Sequence, residues 1–340
     1  MKVHLLLMEP GKQGMVRDFR FLHEASREKL HVLVENPEDA DLILLIGEWI
    51  PEFGVLTRNS QFRKYRSKCA AYYDGGHFLP IVPGVFDSAV QCIHSRMGLV
   101  KTSCYAAAFG SLKNEGLEML GEAPLAKRWL FTFMGGSTSL LRKRLYRIDF
   151  KRPDVVVEDT SSYHHWDGPS AEKLEGQKTY ARMLRESHFV LCPRGHGAGT
   201  IRLFEVLQMA VAPVLIADGY ILPDGPDWDS FLIRVPESRI RQLPQILEEH
   251  IGDSEELGRR ARRAWEQWFS EATAFNHIVA SAWQTVEAAQ GHQSFLINTQ
   301  ALMIARFRVR NAGYGFARKA ILRTMRAMHL KFPYKLNRPE

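Results

Sequence analysis

Residues 193–205, with the sequence PRGHGAGTIRLFE, combine glycines, arginines and a carboxylate at spacings that suit binding of a nucleotide. The apolar stretch before them is predicted to be a strand that ends at Pro193, and Thr200 is a good N-cap for a helix through Met209. The three glycines allow positive φ and let successive backbone N–H groups approach an anion, and the helix N-terminus adds positive potential. The segment therefore predicts a phosphate site.

Side chains on this segment extend the prediction from phosphate to nucleotide. Arg202 lies in the first helical turn, where its guanidinium can bind phosphate oxygens and stabilise a departing diphosphate. Glu205 lies on the same helix face, and its carboxylate can accept from two ribose hydroxyls. Asp218, at a strand end, contacts the ligand or caps the turn before Tyr220. The predicted nucleotide-binding residues are Arg194, Gly195, His196, Gly197, Gly199, Thr200, Arg202, Glu205, Asp218 and Tyr220.

Three classes of nucleotide site compete for this loop. A P-loop needs a lysine before the helix, and AGTIR has none. A dinucleotide fold needs a third glycine where Thr200 stands, although Asp218 occupies a suitable position for a ribose ligand, so an NAD(P)-dependent oxidoreductase using Gly195–Gly199 stays open. The third class is the donor site of a nucleotide-sugar glycosyltransferase.

Strand-like and helix-like stretches alternate along the whole chain, which predicts an α/β fold with parallel sheets covered on both faces. We place an N-terminal, acceptor-side Rossmann-like domain at 1–145 and a C-terminal, nucleotide-binding domain at 146–290. A basic, helical extension follows at 291–340. The predicted strands lie at 3–8, 31–35, 41–46, 69–74, 129–136, 154–159, 189–193, 212–217 and 229–236.

Residues 180–247 contain a wider motif, which consists of Ser187, Pro193-Arg194-Gly195, Arg202, Glu205, Pro213-Val214, Asp218, Tyr220-Ile221-Leu222-Pro223, Trp228 and Phe231. In this motif the second half resembles the exostosin-like glycosyltransferases, family 47. The resemblance implies a GT-B fold, in which two Rossmann-like domains with parallel sheets face each other across a cleft. It also implies an inverting glycosyltransferase that uses a nucleotide-sugar donor. We favour UDP as the nucleotide and expect a glycan or lipid-linked glycan as the acceptor.

Inverting transfer is a single displacement that needs a base for the acceptor hydroxyl. Asp74 and His77 are the candidates, because they follow a strand in a glycine-rich loop of the first half; Asp74 serves equally well as a turn residue. His164 and His165 are adjacent, so at most one of them lines the cleft. The chain has no convincing DxD motif, and we expect neither a metal nor a cofactor. A catalytically inactive nucleotide-sugar binder remains an alternative.

The basic residues are concentrated at the C-terminal end. Residues 301–340 contain ten Lys and Arg and one acid, so their local net charge is +9. This is larger than the net charge of +7 of the whole chain. If helical, residues 306–338 would suit an anionic membrane surface or would pack back on the protein. Nucleic-acid binding is not expected. With four cysteines in no metal-site spacing and no apolar run of membrane length, we expect a cytoplasmic protein. It would be peripheral on the inner face of a membrane if the basic segment binds the lipid surface rather than the protein.

Overall fold

The computed structural model describes residues 1–7, 14–47, 59–73, 82–110, 112–119, 125–162, 171–292 and 294–296. In residues 1–291, which form one compact unit, the described strands make two sheets in which all strand pairs are parallel. In each sheet, later strands are added on both sides of the strand that comes first in the chain. With right-handed crossovers, this order places connecting helices on both faces of the sheet. The predicted α/β class with two parallel sheets is confirmed.

The first sheet has the strand order β2-β1-β3-β4-β5-β6. Its central strands are continuous apolar runs, as expected for strands covered on both faces; LILLIG in β3 is buried throughout. The strands are β1 (Lys2–Leu7), β2 (Val32–Leu33), β3 (Leu42–Gly47), β4 (Cys69–Tyr73), β5 (Gly84–Phe86) and β6 (Val100–Thr102). Between them lie the helices α1 (Gly14–Ala25), α2 (Ser60–Tyr65) and α3 (Ile93–Arg96).

The second sheet has the order β11-β10-β9-β7-β8. Its strands are β7 (Trp129–Gly135), β8 (Val155–Asp159), β9 (Ser187–Pro193), β10 (Ala212–Ile216) and β11 (Ile233–Arg234). The helices of this half are α4 (Gly116–Met119), α5 (Leu140–Leu145), α6 (Ala171–Arg185), α7 (Ile201–Gln208), α8 (Leu243–Glu248) and α9 (Ser254–Ala264).

The division between the sheets differs from the predicted boundary at residue 145. Strand β7 pairs with β8 and β9, so the second sheet already begins at Trp129. The final helix of this unit, α10 (Ala274–Gln290), returns to the first sheet and packs on β4 and β5. It does so because its apolar face, with Phe275 and Ile278 fully buried, completes the core around Phe19. The half that contains the first sheet is therefore not one continuous stretch of chain.

The carboxyl ends of the two sheets meet. The Ser88 hydroxyl, after β5, accepts from the Gly199 N–H at 2.9 Å, and the Ile221 N–H donates to the Ala89 carbonyl at 3.0 Å. The Tyr220 hydroxyl donates to the Asp87 carbonyl at 3.3 Å. Ligand sites in parallel sheets lie outside the carboxyl ends of strands. This junction is thus where the predicted site should be found.

All four cysteines are free, and Cys192 is fully buried on β9. Burial raises the pKa of the Cys192 thiol to about 12, so it is an unreactive packing residue. In the part of the chain that the structure describes, no helix has the length and apolarity needed to cross a membrane. Residues 292–340 form a separate unit, of which 292 and 294–296 are described. The basic segment 306–338 lies outside the described residues.

Lys127 provides a test of the second sheet by pH. Its ammonium group donates to the carbonyls of Arg185 and Ser187, at 3.0 and 2.8 Å, and burial lowers its pKa to about 8. Between that value and the unfolded value near 10.5, the unfolded chain binds more protons, so stability rises with pH. From pH 7.5 to 10, we expect the unfolding free energy to rise by on the order of 1 to 2 kcal/mol more in wild type than in Lys127→Met.

Urea unfolding of both proteins across this pH range measures the difference. Lys178→Met is the control, because Lys178 lies at the surface of α6 in an ion pair with Glu175. Parallel pH profiles for wild type and Lys127→Met would contradict the expectation.

Candidate functional site

Two glycine-containing loops lie side by side at the carboxyl ends of β7 and β9. The first, residues 135–139, leads into α5, whose N-cap Ser139 accepts from the Arg142 N–H. The second, residues 194–199, leads into α7, with Thr200 at the N-cap position. The Ser139 hydroxyl also donates to the Arg194 carbonyl at 3.2 Å, which fixes one loop against the other. The candidate site is built on these paired loops.

Arg142, on α5, joins the two loops. Its guanidinium donates to the carbonyls of Gly136, Pro193 and Arg194 at 3.0–3.2 Å. The residue as a whole is only 8% exposed. Burial and then the positive charge of Arg202 lower the pKa of Arg142 to about 10, which leaves it charged near neutral pH. This is a buried cation held by neutral carbonyls.

Arg202 lies beneath the first loop. Its guanidinium sits between the rings of Phe133 and Tyr180, with centroids 4.6 and 5.6 Å away, and donates to the Met134 carbonyl. Burial opposes its charge, but the neighbouring Tyr180 and Glu205 raise the pKa of Arg202 overall. Its Nε has no hydrogen-bond partner among the described residues. Gly135 is required here, because a Cβ at that position would lie 2.8 Å from Arg202 Nη2.

Charge is unbalanced in this cluster. Among the described residues, neither Arg142 nor Arg202 has a carboxylate within ion-pair distance, and Glu205 is the nearby acid. A buried positive charge without a paired anion is costly, and an incoming anion would compensate it. Arg142 Nη2 and the Thr138 hydroxyl would each lie 3.6 Å from a Cβ at Gly195, so both converge on the glycine loop. Thr138 Oγ1 is buried and without a partner in the described residues.

Glu205 lies on α7, one turn beyond Arg202, and is half-buried. Its two oxygens accept from different neighbours: Oε2 from the Tyr180 hydroxyl at 2.7 Å and Oε1 from Asn114 Nδ2 at 3.2 Å. Each carboxylate oxygen has two lone pairs, so each keeps one for a ligand. The predicted order of cation and carboxylate along α7 is thus present in the structure.

The glycines of the second loop act differently from the prediction. Among the glycines described, positive φ occurs at Gly98, Gly219 and Gly225, not at Gly195, Gly197 or Gly199. Gly199 is needed for close approach, because a Cβ there would lie 2.4 Å from the Asp87 carbonyl oxygen. The amides of Gly195 and Gly199 donate within the protein, to Gly199 O and Ser88 Oγ. These two amides are therefore engaged within the protein, and the guanidinium groups of Arg142 and Arg202 supply the buried positive charge beside them.

Several predicted residues make contacts within the protein. Arg194 forms a two-point ion pair with Glu237, at 2.5 and 3.1 Å, and Glu237 raises its pKa. Asp218 is exposed and accepts from the Glu237 N–H at 3.2 Å, so it caps a turn. Tyr220 is buried at the junction of the sheets.

The remaining predicted residues are placed as follows. Thr200 makes no side-chain capping hydrogen bond, because its hydroxyl is turned toward Arg142 Nη2, 3.5 Å away. His196 is exposed at the tip of the loop. The candidate bases Asp74 and His77, and the pair His164 and His165, lie outside the described residues.

Arg142 and Thr138 are not among the site residues predicted from the sequence. A signal was present: GGSTS follows strand β7 and precedes a helix, as the second glycine loop follows β9. The two loops lie together because β7 and β9 are parallel neighbours in the sheet, and this pairing is seen only in the structure. Within the described residues, no group of three or more His, Cys, Asp and Glu side chains could hold a metal ion. Metal independence remains a prediction.

Residues 107–250 match the family model described as the Exostosin GT47 domain. The match contains residues 180–247, and the predicted family resemblance is confirmed. Human (Homo sapiens) Exostosin-2 is 37% identical over 98 residues, which are 28% of this chain and 14% of that protein. Exostosin-1b of Danio rerio is 33% identical over 162 residues (43% and 22%), and Exostosin-1 of Drosophila melanogaster is 26% identical over 198 residues (54% and 25%).

The chain therefore spans at most a quarter of the length of these curated relatives. Among solved structures, an α1,3-fucosyltransferase matches with a TM-score of 0.43 and 10% identity, over 84% of this chain and 90% of that one.

Proposed function

We propose that this chain, which carries an exostosin domain of glycosyltransferase family 47 at residues 107–250, transfers a sugar from a nucleotide-sugar donor to a glycan or glycolipid acceptor. UDP is the favoured nucleotide, and the transfer inverts the configuration at the sugar carbon. The reaction is a single displacement: the acceptor oxygen attacks, the bond to the diphosphate breaks, and a base takes the acceptor proton.

The observation that carries this proposal is the buried pair Arg142 and Arg202, neither of which has a carboxylate within ion-pair distance among the described residues. Two buried guanidinium groups lie at the glycine loop, and the carboxylate of Glu205 is one turn farther along α7 than Arg202. A nucleoside diphosphate has the complementary order, with anionic phosphates followed by a ribose that donates hydrogen bonds. Fixed cations stabilise the charge that develops on the leaving diphosphate, and such stabilisation is commonly the largest contribution to catalysis.

The residues of the acceptor side remain proposals from the sequence. Asp74 and His77 are proposed as candidate bases because they follow strand β4 of the first sheet. A lipid-linked acceptor would agree with a basic segment 306–338 bound to an anionic membrane on the cytoplasmic side. Chelation of divalent metals is expected to leave transfer unchanged, which a rate measurement with and without EDTA checks.

Binding of nucleotides tests the proposal directly. We expect UDP to raise the melting temperature of the protein, and Glu205→Ala to remove most of this effect, because the ribose loses its acceptor. A ligand at a hundred times its Kd stabilises the folded protein by about 2.7 kcal/mol, which is readily measured. The panel contains UDP, GDP, CMP, ADP and NAD, with Glu256→Ala as control, since Glu256 forms its ion pairs with arginines of α9.

The alternatives give different results. Stabilisation by NAD alone would favour the oxidoreductase, and binding of UDP without any transfer or hydrolysis of UDP-sugars would favour an inactive binder. For an active protein, NMR of the product's anomeric carbon distinguishes inversion from retention.

A further inference from the structure

Two residues outside the glycine loops hold the carboxylate of Glu205. Tyr180 comes from α6, and Asn114 from the segment before α4, while Glu205 itself lies on α7. Their donors reach opposite oxygens of the carboxylate, at 2.7 Å for the Tyr180 hydroxyl and 3.2 Å for Asn114 Nδ2. A glutamate side chain is otherwise free to rotate about three bonds, and contacts at both oxygens fix the plane of the carboxylate.

Tyr180 also contacts Arg202. The Arg202 guanidinium lies over the Phe133 ring. It also packs against the Tyr180 ring, whose centroid is 5.6 Å from Arg202 Cζ. Burial, followed by the charge of Glu205, raises the pKa of Tyr180 well above its usual range, so the phenol remains a hydrogen-bond donor. A single side chain thus contacts both the cation and the carboxylate.

Asn114 has a polar atom that the protein leaves unpaired. The residue is 9% exposed, and its Oδ1 is buried without a hydrogen-bond partner in the described part of the chain. Buried amide oxygens are nearly always paired, so an acceptor left beside Glu205 indicates a missing donor. A sugar hydroxyl is a donor of this kind.

We infer that Tyr180 and Asn114 are positioning residues that orient Glu205 for a ligand with two neighbouring ribose hydroxyls, so that the site selects ribonucleotides over 2′-deoxyribonucleotides. The inference rests on the proposed function, because it assumes that a nucleotide binds at Arg142 and Arg202. It adds a selectivity that depends on residues outside the glycine loops.

Calorimetric titration of UDP, 2′-deoxy-UDP and pyrophosphate tests the inference. The wild type should bind UDP at least tenfold more tightly than 2′-deoxy-UDP. Tyr180→Phe keeps the ring against Arg202 and removes only the hydroxyl; it should weaken UDP by about fivefold to tenfold and leave pyrophosphate unchanged. The ratio between UDP and 2′-deoxy-UDP should therefore fall toward one.

Tyr72→Phe is the matched control. Tyr72 is a fully buried tyrosine of the first sheet whose hydroxyl donates to the Cys104 carbonyl at 2.9 Å. It should lose stability without a change in the ratio. Asn114→Ala provides a second variant and should also lower the ratio, which covers the case in which Tyr180→Phe does not fold.

The outcomes separate the two proposals. An unchanged ratio in folded Tyr180→Phe and Asn114→Ala would overturn the positioning roles while the nucleotide site stands. Wild-type protein that binds pyrophosphate and both nucleotides equally would also overturn them. Absence of binding by all three ligands to wild type would overturn the proposed function as well.

Discussion

Replacement of Arg142 by methionine is expected to lower the rate of sugar transfer by about 10²–10³, the usual effect of losing one group that stabilises a developing anion. Arg142 is buried beside Arg202 without a carboxylate partner in the described residues, and it converges with Thr138 on Gly195. Loss of this charge leaves the departing diphosphate with one buried cation instead of two. Initial rates with a UDP-sugar, together with UDP-dependent thermal stabilisation, measure the effect.

Loss of structure must be separated from loss of charge, because Arg142 also binds three carbonyl groups. Thr138→Val makes this separation: it removes a hydroxyl without a described partner, so the unliganded protein should keep its stability while UDP binds more weakly. Lys143→Met is the control on α5, since Lys143 is exposed. Full activity in Arg142→Met would disprove the role of this residue at the leaving group.

Gly199→Ala should destabilise the protein by about 2 to 4 kcal/mol, a large effect for one added methyl group. The new Cβ would lie 2.4 Å from the Asp87 carbonyl oxygen and 2.9 Å from the Tyr105 hydroxyl. The loops after β5 and β9 would have to separate, with loss of the hydrogen bond from the Gly199 N–H to Ser88. Urea unfolding gives the free energy, and affinity for UDP should fall with it.

Gly195→Ala, in the same loop, should keep the stability of the protein and lower its affinity for UDP. Its Cβ would meet no atom closer than 3.6 Å, which is ordinary contact, so stability should hardly change. The methyl group would instead occupy space between Arg142, Thr138 and the proposed diphosphate, and UDP should bind more weakly. Equal loss of stability in both variants would show that the loop has no such asymmetry.

Much of the fold follows from patterns in the sequence, because buried parallel strands are continuous apolar runs. LILLIG and HFVLCP are recognised in this way, and both are central strands. The domain boundary does not follow from such patterns. The apolar residues of strand β7 and helix α10 would suit the core of either half equally well. Strand β7 is assigned to the second sheet by its pairing with β9, and α10 is assigned to the first by the contact of Phe275 with Phe19.

The residues of the candidate site also divide into those that sequence spacing predicts and those that only the fold brings together. Arg202 and Glu205 are close in sequence on one helix, so their relation is visible from spacing. Arg142 is 60 residues from Arg202 in the chain and reaches the loop only through the sheet order. The prediction for Arg194 depended on its type and its position next to a glycine, but its ion-pair partner Glu237 begins a short 3-10 helix 43 residues farther along the chain.

The return of α10 to the first sheet has a practical meaning for dissecting this protein. The apolar side of the N-terminal half is closed by residues 274–290, which lie beyond the family-matched segment 107–250. A fragment cut after residue 250 would leave Phe19 and Tyr72 without their cover and would tend to aggregate. Any relative movement of the two sheets must also bend the chain at two crossings, between β6 and β7 and just before α10, so these segments are the places to look for a hinge.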